Sequence, residues 1–334
     1  MSSSAASGDA ELSAAGVAAV GAAIPVICGP TASGKSSVAM QLAERRDVTI
    51  ISADSRQIYR RFDIGTAKPS IDEMGAVPHR GVDVVAPMDR YSAAQWADMA
   101  ERSIDESLTQ RRVPIVVGGT GFYISALFRP LFEEPELDAD ARRRLQDSFT
   151  DIPTAELRRW CHALDPERAH LGRAQLLRAI EVALLAGERL SDLHRLRARP
   201  RRFRASYLLV DPGPALSNRI VSRAANMLDQ GWPDEVRMLM RDVPEEAPAW
   251  GATGYVAVRR MVRGEIDRRA ALEQVVIDTR QYAKRQRTWF RHQLANDQVT
   301  RVGGNDERLE TIVEGWMSEV EAGLRTQRPP ETGA

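Results

Sequence analysis

Gly29-Pro30-Thr31-Ala32-Ser33-Gly34-Lys35-Ser36 is a complete G-x-x-x-x-G-K-S phosphate loop, and the apolar run Ile24 to Cys28 leads directly into it. A short apolar run bounded by such a turn predicts a buried strand, and Val38, Ala39, Leu42 and Ala43 beyond the loop have helical spacing. The loop therefore stands in the strand-to-helix context that gives it meaning. There the glycines let backbone N–H groups close around an oligophosphate, Lys35 reaches its terminal groups, and the Ser36 hydroxyl can ligate Mg²⁺ at the helix start. Gly29, Pro30, Thr31, Ala32, Ser33, Gly34, Lys35 and Ser36 are thus the candidate diphosphate- or nucleotide-binding residues, with Ser36 the candidate metal ligand. The loop does not name the reaction, because ATP-binding kinases, hydrolases and transferases all use it. No run of four apolar residues ends in Asp-Glu, which argues against a motor-type nucleotide hydrolase.

Working outward, Val48 to Ser52 predicts a second strand ending in Ala53-Asp54-Ser55. Val82 to Ala86 predicts a third, and Val113 to Val117 a fourth ending in Gly118-Gly119-Thr120-Gly121. Helical patterns separate them, most clearly Tyr91 to Gln110, with Ser92 as its cap. This alternation predicts an α/β fold, a P-loop NTPase-like parallel sheet with right-handed crossovers. Ligands of such sheets gather at the carboxyl ends of the strands, so the phosphate loop, the Asp54 segment and the Thr120 segment should converge on one crevice. From Asp138 to about Arg199 the strand signals stop and Arg-rich helical sequence takes over, until Tyr207 to Val210 restores a strand. The expected organisation is a disordered leader over 1–23, a core over 24–137 and 205–316 that includes C-terminal helices, a helical insertion domain over 138–204, and a flexible tail over 317–334.

A chain of 334 residues with 43% hydrophobic and 28% charged composition accommodates a core and one further subdomain. No apolar segment approaches a membrane span, so no membrane partner is expected. The first 23 residues lack Lys and Arg and so lack the basic start of a secretory signal. Cys28 and Cys161 are the only cysteines, which excludes a disulfide framework and a cysteine-ligated zinc site and predicts a cytoplasmic protein. A formal net charge of zero is unusual for a nucleic-acid binder. Its distribution is uneven, however: Arg142, Arg143 and Arg144 cluster, as do Arg195, Arg197, Arg199, Arg201, Arg202 and Arg204. Each cluster reads either as a phosphodiester contact or as a solvated helix end.

Six blocks then occur in a telling order: the phosphate loop, Asp54-Ser-Arg-Gln-Ile-Tyr59, Asp63-Ile-Gly-Thr-Ala-Lys-Pro69, Pro78-His79-Arg80, Gly118-Gly-Thr-Gly-Phe-Tyr123, and Thr279-Arg-Gln-Tyr-Ala-Lys-Arg-Gln-Arg-Thr-Trp-Phe-Arg291. From about Ile24 to Trp316 the chain resembles the bacterial tRNA dimethylallyltransferases. The resemblance implies transfer of a dimethylallyl group from dimethylallyl diphosphate, with Mg²⁺, to the exocyclic N6 amine of the adenosine just 3′ of the anticodon. The tRNAs concerned read codons that start with U, and the enzyme is expected to be a monomer. An allylic diphosphate offers a good leaving group and a carbon able to carry positive charge, so the site must hold the departing diphosphate and keep water away. Lys35, Ser36 and Mg²⁺ suit the first task. Arg219 and Arg223, four apart, would share a helix face, and Arg223 matches a family arginine that contacts the diphosphate.

The adenine amine is a poor nucleophile that needs a base, and Asp54 at the end of the second strand is the candidate, since a carboxylate is ionised at neutral pH. From position alone a helix cap is the competing role for Asp54. Thr120 is the third catalytic candidate and, by resemblance, a tRNA contact. The base must be drawn out of the anticodon loop. The resemblance assigns it to Asp54, Ser55, Arg56 and Gln57, and assigns further tRNA contacts to Arg142, Gln175, Arg178, Gly254 and Tyr255. Two departures bear on these: Gln175 replaces a basic residue, and Val256 and Ala257 stand where a basic residue and Glu are expected. Arg280, Lys284, Arg287 and Arg291 fall on one face of the last long helix, either gripping RNA backbone or packing over the core.

Three other readings compete. An adenylate isopentenyltransferase shares the loop and the Asp motif, although the insertion and basic C-terminal helices are surplus for a mononucleotide. A nucleoside or nucleotide kinase predicts ATP turnover, and a phosphate-loop protein that binds RNA without chemistry has no use for the set Lys35, Ser36, Asp54 and Arg223.

Overall fold

The computed structural model describes residues 22–129, 135, 137–196, 202–294, 299–303 and 307–326. Of the leader expected over 1–23, residues 1–21 lie outside the described residues, as do 327–334 of the expected tail and Arg197, Arg199 and Arg201 of the second arginine cluster; Ala22 and Ala23, expected in the leader, instead begin the first strand.

The apolar run ahead of the phosphate loop is strand β1 (Ala22–Cys28), and helix α1 (Lys35–Ala43) follows the loop. Next come β2 (Val48–Ala53), α2 (Ile71–Ala76), the two-residue β3 (His79–Arg80), α3 (Ala93–Thr109), β4 (Val113–Gly118) and α4 (Gly121–Phe128). A helical stretch holds α5 (Ala139–Ser148), α6 (Thr154–Leu164), α7 (Arg173–Ala186) and α8 (Leu190–Leu196). The chain then forms β5 (Phe203–Val210), α9 (Leu216–Asp229), α10 (Trp232–Leu239), α11 (Tyr255–Val262), α12 (Arg268–Gln293), β6 (Val299–Val302) and α13 (Leu309–Thr326).

The strands pair in parallel in the order β3-β2-β4-β1-β5-β6, with Val26 of β1 in register with Val116 of β4 and Tyr207 of β5. Ile24, Val26 and Ile27 of β1 and all six residues of β2 are buried, as befits a parallel sheet whose inner strands are covered on both faces. The expected cap holds: the Ser92 hydroxyl accepts from the Gln95 N–H at 3.1 Å, and the Gln95 side chain accepts from the Ser92 N–H at 2.8 Å. This reciprocal pair satisfies two N–H groups at the start of α3.

The chain divides into two compact units, one formed by the residues up to Phe128 and from Arg202 onward, the other by Arg129–Arg201. The first carries the sheet. The second has its own apolar centre, where Phe149, Leu157, Cys161, Leu176, Ile180 and Leu193 pack together.

Two expectations are corrected. Val82 to Ala86 is not a strand of the sheet. Gly81 at φ 78° and Asp83 at φ 55° interrupt the extended backbone, Val85 keeps only an isolated bridge to Tyr59, and β3 pairs instead through His79 and Arg80 with Ile50 and Ile51. Residues 317–326, expected in a flexible tail, continue α13. Val313, Trp316, Met317, Val320 and Leu324 recur at helical spacing and are buried, and the Trp316 indole donates to the Ser206 hydroxyl at 2.9 Å.

Candidate active site

The phosphate loop turns where only small residues fit. A Cβ at Gly29 would stand 2.2 Å from the Val210 carbonyl, and Gly34 caps α1 in the left-handed region at φ 100°. Lys35 is half-buried, and its ammonium donates to the Pro30 carbonyl at 3.2 Å. Burial pulls Lys35 down to about 8; nearby Arg223 adds to the effect and Asp54 opposes it. Burial also lowers Arg223 from its ordinary value, with Asp54 again opposing. Both cations therefore lie in the field of the same carboxylate. Arg223 on α9 reaches the Thr31 hydroxyl at 3.4 Å, whereas Arg219, one turn earlier, donates to the Ser33 carbonyl at 3.0 Å and braces the loop from outside. Ser36 is exposed at the first turn of α1.

Opposite the loop, Asp54 follows β2. One oxygen accepts the Arg56 N–H at 2.8 Å, a side-chain turn that fixes the carboxylate, and Asp54 lines the central cavity. The helix-cap alternative is corrected: no helix starts at Asp54, whose one oxygen closes a local turn and leaves the carboxylate in the site. Thr120 stitches two turns together: its N–H donates to the Ala53 carbonyl at 3.0 Å and its hydroxyl accepts the Ser55 N–H at 3.0 Å. The Gln57 amide is occupied internally. It accepts from Ser52 at 2.9 Å and donates to the Ala67 carbonyl at 2.9 Å, so Gln57 shapes the cavity wall and has its polar atoms spent on its own chain.

The cavity is about 180 Å³. Lys35, Asp54 and Arg223 line it, as do the charged groups Arg56, Lys68 and Glu73, while Met40, Ile220, Met227, Trp232 and Val275 contribute apolar surface. Cationic groups beside an aliphatic pocket suit a molecule with an anionic head and a short hydrocarbon tail. No group of three or more His, Cys, Asp or Glu residues with metal-binding placement occurs among the described residues.

Several residues expected to contact RNA have partners inside the protein. Gly254 and Tyr255, assigned to RNA, are both buried, Tyr255 at 0% exposure. The left-handed Gly254 at φ 88° lets the chain turn against Trp232, and the Tyr255 hydroxyl donates to Glu235 at 2.6 Å. Glu235 in turn accepts the N–H groups of Asp63 and Ile64 at 3.0 and 2.6 Å. The pair therefore holds the 63–67 turn. Of the basic stripe on α12, Arg280, Lys284 and Arg291 are exposed, while Arg287 is fixed on Asp211 by both carboxylate oxygens, Nε at 2.9 Å, and on the Gly213 carbonyl at 2.7 Å.

In the second unit, Arg142 of α5 and Arg178 of α7 converge on the carboxylate of Glu181, at 3.0 and 3.2 Å. Gln146 donates to the other oxygen at 2.6 Å. Gln175 is exposed and accepts the Gly172 N–H at 3.2 Å.

Sequence reasoning missed Tyr282 and Gln286. Tyr282 lines the cavity and hydrogen-bonds Thr120, and burial pushes its hydroxyl up to about 12. Gln286 accepts the Thr31 N–H at 2.8 Å and donates to the Gly119 carbonyl at 2.9 Å. The available signal was spacing: Val275, Thr279, Tyr282 and Gln286 repeat at the same intervals as the basic stripe and form the inward face of α12.

A family model described as IPP transferase matches residues 57–293, and one described as isopentenyl transferase matches residues 22–79. A tRNA dimethylallyltransferase from Halorhodospira halophila is 40% identical over 88% of this chain and 97% of its own length. One from a Cyanothece strain is 36% identical over 85% and 93%. Among solved structures, a tRNA delta(2)-isopentenylpyrophosphate transferase from Staphylococcus epidermidis is similar with a TM-score of 0.63 at 29% identity, covering 90% of this chain and 99% of that one.

Proposed function

The chain belongs to the IPP transferase family, that of the tRNA dimethylallyltransferases, and from that premise we propose that it moves the dimethylallyl group of dimethylallyl diphosphate to N6 of the adenosine 3′-adjacent to the anticodon, in tRNAs reading codons that start with U. The observation that carries this reading is the cavity in which Lys35 and Arg223 meet Asp54 beside an aliphatic wall. The diphosphate lies against the phosphate loop, where Lys35 and Arg223 offset its charge in a desolvated setting, and the five-carbon tail lies along Met40, Ile220, Met227 and Val275. The allylic C–O bond breaks, with its electron pair leaving on diphosphate. The N6–C bond forms, and the N6 proton passes to Asp54, whose carboxylate is held by the Arg56 N–H. Thr120, fixed by Ser55 and Tyr282, positions the acceptor. Apolar walls limit capture of the allylic cation by water.

Mg²⁺ fits this donor set, since the exposed Ser36 hydroxyl and diphosphate oxygens are the hard ligands it takes. When bound it supplies positive charge to the leaving group. In the second unit, Arg142 and Arg178 contact the tRNA backbone, and the exposed cations of α12 add to that grip.

The test is incubation with Mg²⁺, dimethylallyl diphosphate and either an anticodon stem-loop containing three adjacent adenosines or AMP, followed by mass spectrometry of both. Gain of one dimethylallyl mass on the stem-loop alone is expected. Gain on AMP alone would overturn this reading in favour of a mononucleotide acceptor.

A further inference from the structure

Gln286 is polar yet only 6% exposed, and it lies four residues beyond Tyr282 on the inward face of α12. Its carboxamide joins two turns that are remote in sequence. Oε1 accepts from Thr31, in the phosphate loop after β1; Nε2 donates to Gly119, in the turn after β4 that presents Thr120. Two further contacts tighten the link. Thr31 receives Arg223 on its hydroxyl at 3.4 Å, and a Cβ added at Gly119 would stand 2.2 Å from Gln286 Nε2. The backbone of the acceptor turn therefore comes against this amide where no side chain fits between them.

We infer that Gln286 is a positioning residue that sets the diphosphate cradle and the acceptor turn in one geometry, an inference that rests on the transferase reading above. Thr31 is on the donor side, and Thr120 is on the acceptor side. The reacting nitrogen and allylic carbon come from different substrates, so their approach depends on how these two turns are held relative to each other. Without the amide, a partly buried N–H and a buried carbonyl lose their partners, and each turn relaxes separately to find new ones. A glutamate of the same size keeps an acceptor for Thr31 but sets an oxygen against the Gly119 carbonyl, breaking only the acceptor half.

The experiment measures steady-state transfer to the stem-loop, varying each substrate in turn, together with the melting temperature, for the wild type, Lys35→Ala, Gln286→Ala and Gln286→Glu. Gln286→Ala is expected to lower kcat about tenfold and raise KM for dimethylallyl diphosphate to a similar degree. Gln286→Glu is expected to raise KM for the stem-loop more than KM for the donor, and it carries the test if the alanine variant does not fold. Folded Gln286 variants with kcat and both KM values within about twofold of wild type, whatever their melting temperature, would reduce the residue to a packing role and overturn the inference. Failure of the transferase reading looks different: the wild type itself would not modify the stem-loop, or Lys35→Ala would leave the donor KM unchanged.

Discussion

Lys35 gives the site a pH signature. Its ammonium, held near 8 by burial, is charged below that pH and neutral above it, and only the charged form attracts a diphosphate. Because kcat/KM reports the free enzyme, kcat/KM for dimethylallyl diphosphate should fall as pH rises through about 8. Bound diphosphate retains the proton, so the fall in kcat should come at higher pH, and Lys35→Arg should flatten the kcat/KM limb. A pH profile of the wild type beside Lys35→Arg checks this, and coincident limbs would remove Lys35 from the donor site. Asp54 separates from it by role: Asp54→Ala should abolish transfer while leaving diphosphate binding, whereas Lys35→Ala should weaken both, as calorimetry with inorganic diphosphate beside the transfer assay would show. In the second unit Glu181, 2% exposed, holds Arg142 and Arg178. Glu181→Gln should splay the two like charges and raise KM for the stem-loop severalfold at unchanged donor KM, measured under the same conditions. Motif order made Lys35, Asp54 and Thr120 legible, and the family resemblance added Arg223, because each of these residue types serves an evident step of the chemistry. It did not foretell that the side chains of Tyr255 and Gln57 hydrogen-bond inside the protein, to Glu235 and to the Ala67 carbonyl. A motif gives the residue and its place in the chain but not the direction of its side chain.

At the scale of elements, strands whose apolar runs meet a sharp turn, such as β1, β2 and β4, were readable, since burial on both faces leaves them little polar sequence. Val82 to Ala86 carries a similar run yet misled, because the positive φ at Gly81 and Asp83 is a backbone property that apolar content does not encode. The later turns of α13 are hard to see in the sequence for a related reason. They are rich in Glu and Gly, and the spaced apolar positions Met317, Val320 and Leu324 matter only once a sheet is present to cover. The junction of α10 and α11 gives a prediction that separates the assigned roles. If Tyr255 serves to hold the 63–67 turn through Glu235, Tyr255→Phe loses one hydrogen bond to a charged group, about 1.5–3 kcal/mol, and the melting temperature should drop by a few degrees. Stem-loop KM should stay within twofold. An RNA contact at Tyr255 would reverse the pattern, moving KM and sparing stability.

On the whole-molecule scale the formal charge is zero, 46 basic against 46 acidic residues, so there is little long-range attraction to draw RNA in. Binding must come from local patches, which remain effective at contact because ions screen over roughly 8 Å at physiological salt. The exposed side of α12 is one such patch, with Arg280, Lys284 and Arg291 facing solvent and Arg287 withdrawn onto Asp211. Each cation that neutralises a phosphate contributes about 0.7–0.9 to the slope of log affinity against log salt. Replacing Arg280, Lys284 and Arg291 together by Gln should therefore lower that slope by about 2 to 3 in stem-loop binding measured over a salt series, with donor KM unchanged. Arg287→Gln should leave the slope alone and lower the melting temperature, because what it breaks is a two-pronged ion pair inside the core unit. If the triple variant kept the wild-type slope, α12 would be excluded from the RNA interface, and the electrostatic part of tRNA binding would fall to the arginines of the helical unit, where the same salt series on Arg142→Gln and Arg178→Gln would have to find it.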